Sequence, residues 1–304
     1  MRRVTFLLTP DVEILDFAGP LQALGEVKRL QLRFCATTPE VRTSQGLMLS
    51  RLEPLPDVDG EDLVIVPGMP YRSTLKPERA VTRWLRDAAH ANAHVASVCT
   101  GSFLLGEAGL LDGRRCTTHW SRTEELQRRF TKAKVLTDRL FVSDGVTTSA
   151  GIASGIDMAL ALIEQTEGPL VAAEVAREMV VYLRRDGAQE QRSVYLDYRT
   201  HLHPGVHRVQ DWIIHHPSRR ATLEELADVA GMSPRNLTRT FRQSTGISIK
   251  DFSTRVRLEL AGTLLHDPGL TVEAVAQRCG FATARQLRRL WKEFFGGAPR
   301  HAVL

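Results

Sequence analysis

An α/β unit built on a parallel sheet, followed by an all-α unit, is the fold predicted for this 304-residue chain. Three observations carry that prediction. Over residues 1–170 short β-branched runs alternate with amphipathic helices, as in a parallel sheet covered on both faces. After residue 200 a helix, a tight turn and a basic second helix occur twice. The charge divides at the same place: residues 200–304 hold 15 Lys+Arg against 9 Asp+Glu, whereas residues 1–199 hold 25 against 26. At about 150 residues per domain, the length also suggests two domains.

The elements follow in order. Val4 to Leu8 reads as a buried strand and Asp16 to Val27 as a helix, entered through Phe17-Ala18-Gly19-Pro20. Leu32 to Thr37 is a second strand, and residues 62–68 (DLVIVPG) are a third that ends in a glycine turn. Ala80 to Ala91 is helical. Residues 94–111 read as strand, sharp turn and helix, with Cys99 at the turn. Segments 116–120, 134–139, 140–145 and 146–151 supply late strands, and Ala153 to Gln165 and Val171 to Leu183 are helices. Ligands of such sheets bind beyond the carboxyl ends of the strands. Asp16, Pro67-Gly68-Met69 and Cys99-Thr100-Gly101 all lie at those ends. The Ser97-Val98-Cys99-Thr100-Gly101 turn is a nucleophile-elbow arrangement with sulfur as the nucleophile. The N-terminus of the helix that follows favours thiolate there.

The phrases LDFAGPLQAL, VIVPGM, VCTGSFLLGEAGLLDGRRCTTHW and VTTSAGIASGIDMALALI make this half similar to the DJ-1/ThiJ/PfpI superfamily, from about residue 3 to 170. The resemblance implies a flavodoxin-like fold of the class I glutamine-amidotransferase type. It also points to the branch that holds isonitrile hydratases and the amidase-like domains of AraC regulators. Carried over by position, Cys99 is the elbow cysteine and Asp16 the acid that contacts it. Gly68 and Thr100 border the pocket, and Gly101 completes the turn. In protease-like members a histidine directly follows the cysteine; here residue 100 is Thr. Without it a cysteine–histidine amide-hydrolysing pair has no evident base. His119 is the one substitute, and a structural role for it is the competing reading. Cys99 is open to four readings: nucleophile, ligand contact, oxidation sensor, or remnant of the fold. Asp16 is equally consistent with an N-cap of the first helix. Catalytic residues are therefore not assigned. Cys99, Asp16, Gly68, Thr100 and Gly101 stand as candidate ligand-binding residues for a small-molecule effector of unknown identity.

In the last third, Leu223 to Ala230 is a helix, Gly231-Met232-Ser233 a turn and Pro234 to Ser244 a second helix. Ser233 suits its N-cap and Pro234 its first position. Leu237 and Phe241 point inward; Arg235, Thr238, Arg239 and Arg242 point outward. The pattern repeats with Val272 to Arg278, the Cys279-Gly280-Phe281 turn and Thr283 to Phe295. Leu287, Leu290 and Trp291 face a core there, while Arg285, Arg288, Arg289 and Lys292 are outside. A basic second helix supplies charge for phosphates and forked donors for guanine edges in a major groove. These tandem units resemble the AraC/XylS DNA-binding domain over roughly residues 205–304, carried by Ala276, Gly280, Phe281, Gly297, Pro299 and Arg300. Leu287 and Trp291 replace the usual phenylalanine pair.

The two resemblances in this order imply a one-component regulator of the GlxA or AdpA kind. The expected organisation is a sensor and dimerisation domain over 1–185, a linker over 186–204 and a DNA-binding domain over 205–304. Its expected partner is double-stranded promoter DNA, its assembly a homodimer, and no cofactor is expected. The rival class is an isonitrile-hydratase or amidase-like enzyme that uses Cys99 and carries a DNA-binding tail. Cys35, Cys99, Cys116 and Cys279 form no CxxC and no zinc spacing, which favours a reducing cytoplasm over a disulfide scaffold. The first apolar run is too short for a signal peptide, and no run approaches a membrane span. The histidines at 201, 203, 207, 215 and 216 match no zinc pattern, so no metal is expected. The polar linker contains Tyr195 and Tyr198, read as gripping the first domain.

Overall fold

The computed structural model describes residues 2–137, 139–181, 187, 198–265 and 269–295. The chain divides into two compact units, Met1–Gln191 and Arg192–Leu304.

The first unit is a three-layer α/β arrangement. Strands β1 (Arg3–Leu7), β2 (Gln31–Cys35), β5 (Asp62–Val66), β6 (His94–Val98), β10 (Thr147–Ser149) and β9 (Phe141–Ser143) form one sheet in the order β2-β1-β5-β6-β10-β9. All neighbours are parallel except β9 against β10. Side chains alternate between faces with period two. Leu63 and Ile65 join one apolar cluster while Val64 and Val66 join the other. The first face is covered by α1 (Ile14–Gly25), α5 (Ala153–Glu167) and α6 (Pro169–Glu178). The second is covered by α2 (Arg79–His90), α3 (Gly101–Glu107) and α4 (Thr123–Arg129).

Three features differ from the sequence reading. Segment 116–120 is strand only at Arg115–Cys116 (β7), which pairs with Lys134–Val135 (β8) in a separate small sheet. A hairpin of Glu40–Arg42 (β3) and Met48–Ser50 (β4) was not evident, because three-residue strands are too short to show alternation. The helix read over 171–183 begins at Pro169 and ends at Glu178; residues 182 and 183 lie outside the described residues.

The second unit is helical throughout: α7 (Pro204–His215), α8 (Leu223–Ala230), α9 (Pro234–Thr245), α10 (Ile249–Leu264), α11 (Val272–Arg278) and α12 (Ala284–Phe295). Hydroxyl side chains start most of them. Thr222 and Glu225 form a reciprocal capping box, and Ser233, Ser248, Thr271 and Thr283 each accept from a backbone N–H three residues on. Two cores result. Val206, Leu226, Leu237, Phe241, Phe252 and Val256 fill the first; Leu258, Leu265, Val275, Ala276, Cys279 and Leu287 fill the second. Helix α10, which the sequence reading did not single out, supplies residues to both. Arg257 on α10 also donates through Nε to the Pro217 carbonyl at 2.7 Å, tying the α7–α8 connection to it.

Tyr198 packs inside this second unit, edge-on to Phe252 with ring centroids 6.1 Å apart. The expectation that it grips the first domain is corrected by that contact. Tyr195, Gly297, Pro299 and Arg300 lie outside the described residues. Among the described residues no helix is long and apolar enough to cross a membrane.

Candidate functional sites

In the first unit the sheet brings Asp16, Gly68, Cys99, Thr100 and Gly101 to one place, at the carboxyl ends of β5, β6 and β10. Cys99 has φ +55, the left-handed region that an L residue occupies only under constraint. Its backbone supplies the constraint. Its N–H donates to the Ser149 carbonyl at 2.9 Å. Its carbonyl accepts from the Thr118 hydroxyl at 2.8 Å and the Ser102 hydroxyl at 3.0 Å.

Two glycines make room for this turn. A Cβ on Gly68 would lie 2.3 Å from Asp16 Oδ2 and 2.8 Å from Cys99 Cβ. A Cβ on Gly151 would lie 2.5 Å from Cys99 Cβ and 2.8 Å from its sulfur. Gly101 and Thr100 are placed for packing: a Cβ at 101 would sit 2.2 Å from the Val66 carbonyl oxygen. The Thr100 hydroxyl donates to the Met69 carbonyl at 2.5 Å and accepts from the Met69 N–H at 2.9 Å. Thr100 thus braces the loop after β5 against the elbow.

Asp16 is fully buried in the first turn of α1, whose N-cap is Glu13, so the N-cap alternative for Asp16 is overturned. Its Oδ1 accepts from the Ile152 N–H at 2.6 Å. Its Oδ2 is buried and has no hydrogen-bond partner within standard geometry. Burial raises the carboxyl to about 6, against the pull of the Ile152 N–H and the neighbouring Cys99 thiol. Cys99 as a whole residue is only 9% exposed. Burial, then the adjacent Asp16 charge, push its thiol well above the ordinary range. The thiolate that the helix N-terminus favours is therefore not expected, because the pull of the short α3 N-terminus does not prevail over desolvation and a neighbouring carboxylate. His119 is half-buried, with Nδ1 held 2.8 Å from the Ser121 hydroxyl. Burial and the nearby Arg122 hold its imidazole below the usual range. The sequence reading missed Ile152, which holds Asp16 from the start of α5, and Thr118, which holds the elbow carbonyl. Only the small-residue run at 147–155 hinted at close approach there.

In the second unit, Arg235, Thr238, Arg239 and Arg242 are exposed along one side of α9 and, with Gln243, line one shallow concavity. Gln243 was not among the predicted residues, although its spacing from Arg239 and Arg235 puts it on the same stripe. Leu237 and Phe241 are fully buried on the opposite side. Arg239 is oriented by Asn236, whose Oδ1 accepts from it at 3.0 Å. On α12, Arg285, Arg288, Arg289 and Lys292 are exposed, and Leu287 is fully buried. Arg288 pairs with Glu273 at 3.0 Å and Arg289 faces Glu293 at 3.9 Å. The two turns match: Gly231 and Gly280 take φ +66 and +74. The histidines cap and stack. His201 and His207 lie face to face at 4.3 Å, and the His203 side chain accepts from the Val206 N–H at the start of α7. Among the described residues no group of three His, Cys, Asp or Glu side chains is placed to hold a metal ion.

Known proteins share both halves. The DJ-1/PfpI family matches residues 2–165, and a helix-turn-helix domain matches residues 226–303. The HTH-type transcriptional regulator CdhR of Pseudomonas aeruginosa is 31% identical over 305 residues, which is 97% of this chain and 89% of that protein. The isonitrile hydratase of Pseudomonas putida is 34% identical over 167 residues, 55% of this chain and 72% of that protein. An AraC family transcriptional regulator from Pseudomonas putida, solved by crystallography, superposes with a TM-score of 0.51 at 22% identity; the match covers 59% of this chain and all of that one. The sheet with its strained cysteine elbow and the paired basic helices are thus inherited together: the chain belongs to the DJ-1/PfpI family and is a DNA-binding transcriptional regulator of the AraC-type helix-turn-helix class.

Proposed function

We propose that the first unit is a sensor without turnover, whose Asp16–Cys99 site takes a small-molecule effector and biases how a cytoplasmic homodimer presents α9 and α12 to promoter DNA. The observation that carries this reading is the state of the elbow. Its thiol is buried and protonated, its neighbour is a carboxyl, and Thr100 occupies the place of the base. Asp16, raised to about 6, titrates near neutral pH beside the nucleophile, but burial and that same carboxyl hold the thiol in its neutral form. In this reading the effector's donor is placed at Asp16 Oδ2, which lies buried against Gly68 and the Cys99 thiol. Gly68, Thr100 and Gly101 shape that site from behind. The homodimer is part of this reading because two readers on one promoter gain effective concentration. Static light scattering on the full chain should give twice the chain mass at micromolar concentration; a monomer there removes the dimer from the proposal.

The enzyme reading keeps one specific support, the identity with an isonitrile hydratase across the elbow-bearing half. Purified protein assayed on isonitriles and glutamine-like amides is expected to show no turnover above the Cys99→Ser control. Alkylation of Cys99 at neutral pH should be slower than that of free cysteine, whose thiol titrates near about 8.5. Cys99→Ser should leave basal DNA binding intact and alter the effector response. Robust turnover that the variant abolishes would establish the enzyme instead.

In the reader, Arg235, Thr238, Arg239, Arg285, Arg288 and Arg289 are proposed base-edge contacts, and Arg242 and Lys292 phosphate contacts. Arg288→Ala should cost about 1–3 kcal/mol on selected DNA and relax specificity at one base pair. Lys292→Ala should weaken all sequences alike and flatten the salt dependence by about one unit. Equal weakening of selected and random DNA by Arg288→Ala would remove its base-reading role.

A further inference from the structure

We infer that Tyr198, which lies outside both helix-turn-helix units, is a positioning residue for both recognition helices. Tyr198 precedes α7 in the second unit, and its backbone is fastened there. Its carbonyl accepts from Gln210 Nε2 at 2.6 Å, and Gln210 is fully buried on α7. Its ring then touches two side chains of α10. On one side it meets Phe252 edge-on, and Phe252 meets Phe241 of α9 at 5.7 Å with an interplanar angle of 67°. On the other side the Arg255 guanidinium carbon lies 5.7 Å from the Tyr198 ring centroid and 4.7 Å from that of Phe294 on α12.

Phe252 and Arg255 are three apart on a helix, so they present themselves together to one neighbour. Arg255 has its Nε buried without a hydrogen-bond partner, and among the described residues no carboxylate pairs with it. Two aromatic faces lie against its cation. One ring thus abuts two chains of contact. Tyr198, Phe252 and Phe241 lead to the first recognition helix; Tyr198, Arg255 and Phe294 lead to the second. A displacement of the chain at residue 198 moves both supports at once. Contact alone does not establish coupling, so the test has to measure it.

The inference rests on the proposal that α9 and α12 read DNA. The full-length protein is first used to select sequences from a random double-stranded library. Base-by-base discrimination is then measured for the wild type, Tyr198→Ala, Tyr198→Phe and Arg255→Met, with Arg235→Ala and Arg285→Ala marking which base pairs belong to which helix. Tyr198→Ala should lower discrimination in both sets by about threefold to tenfold. Tyr198→Phe, which keeps the ring, should retain it. Arg255→Met keeps the stem but loses the cation, and should lower discrimination only in the set marked by Arg285. Arg255→Met decides the matter alone should Tyr198→Ala fail to fold. Uniform loss of affinity with unchanged discrimination would make Tyr198 a packing residue only and overturn the inference. So would equal effects of Arg255→Met on both sets. A wild type that selects no sequence overturns the groove reading and this inference with it, whereas selection unaffected by Tyr198→Ala overturns this inference alone.

Discussion

Phe241→Ala should destabilise the first helix-turn-helix core by about 3–5 kcal/mol and abolish sequence-selective DNA binding by the full chain. The ring is fully buried on the inner side of α9 and meets Phe252 at 5.7 Å. Leu237, one turn earlier on the same face, is also fully buried, so the two side chains are what seat α9 on α7, α8 and α10. Removing the ring leaves a cavity that those helices fill only by shifting. The outward arginines keep their charge in the variant, so weak, salt-sensitive binding to any DNA should persist while discrimination disappears. Chemical denaturation followed by circular dichroism gives the stability loss, and competition between selected and random duplexes gives the selectivity. A variant that retained wild-type discrimination would show that α9 is not the reading element.

Asp16→Asn should stabilise the first unit by up to about 3 kcal/mol at pH 8 and by little at pH 4. The sign follows from the raised carboxyl. Its folded-state pKa is about 6, above the ordinary value of 3.8, so the native protein holds this proton more tightly than the unfolded chain does. The contribution of Asp16 is therefore fully favourable below about pH 3.8 and is lost as pH rises through about 6. Asparagine keeps an oxygen for the Ile152 N–H and removes the charge. Thermal unfolding of wild type and variant across that range measures it. Equal gains at both pH values would show that the carboxyl is not the source. A buried acid that costs stability at working pH is in keeping with the proposed ligand-binding role of this site.

The parts of this molecule that were legible in the sequence share a short-range cause. The β-branched runs, the elbow turn and the two basic helices are written in spacing alone, and the helices over 223–230 and 272–278 fall where their periodicity puts them. The alternation of Leu63, Val64, Ile65 and Val66 between two cores follows from one apolar run buried on both sides. What was not legible depends on residues far apart in the chain. The Ile152 N–H that holds Asp16 lies 136 positions from it. The state of the Cys99 thiol was misjudged because helix position can be read from sequence, whereas burial beside a carboxyl cannot. Tyr198 was placed with the wrong partner because a tyrosine in a polar stretch does not say which neighbour it packs on. Helix α10 escaped notice because its apolar residues serve two cores and so spread around the helix, with no single stripe to mark it.

That division of α10 has a consequence for operators. Phe252 and Val256 are committed to one core, and Leu258, Ala261 and Leu265 to the other, along an unbroken helix. One residue inserted between Val256 and Leu258 would turn everything after it by about 100° and advance it by about 1.5 Å. The proposed second recognition helix would then be turned away from the first by that amount. The helix is a ruler with a fixed phase. With α9 and α12 reading DNA as proposed, the spacing between the two stretches they read is expected to be set by α10 rather than by the promoter.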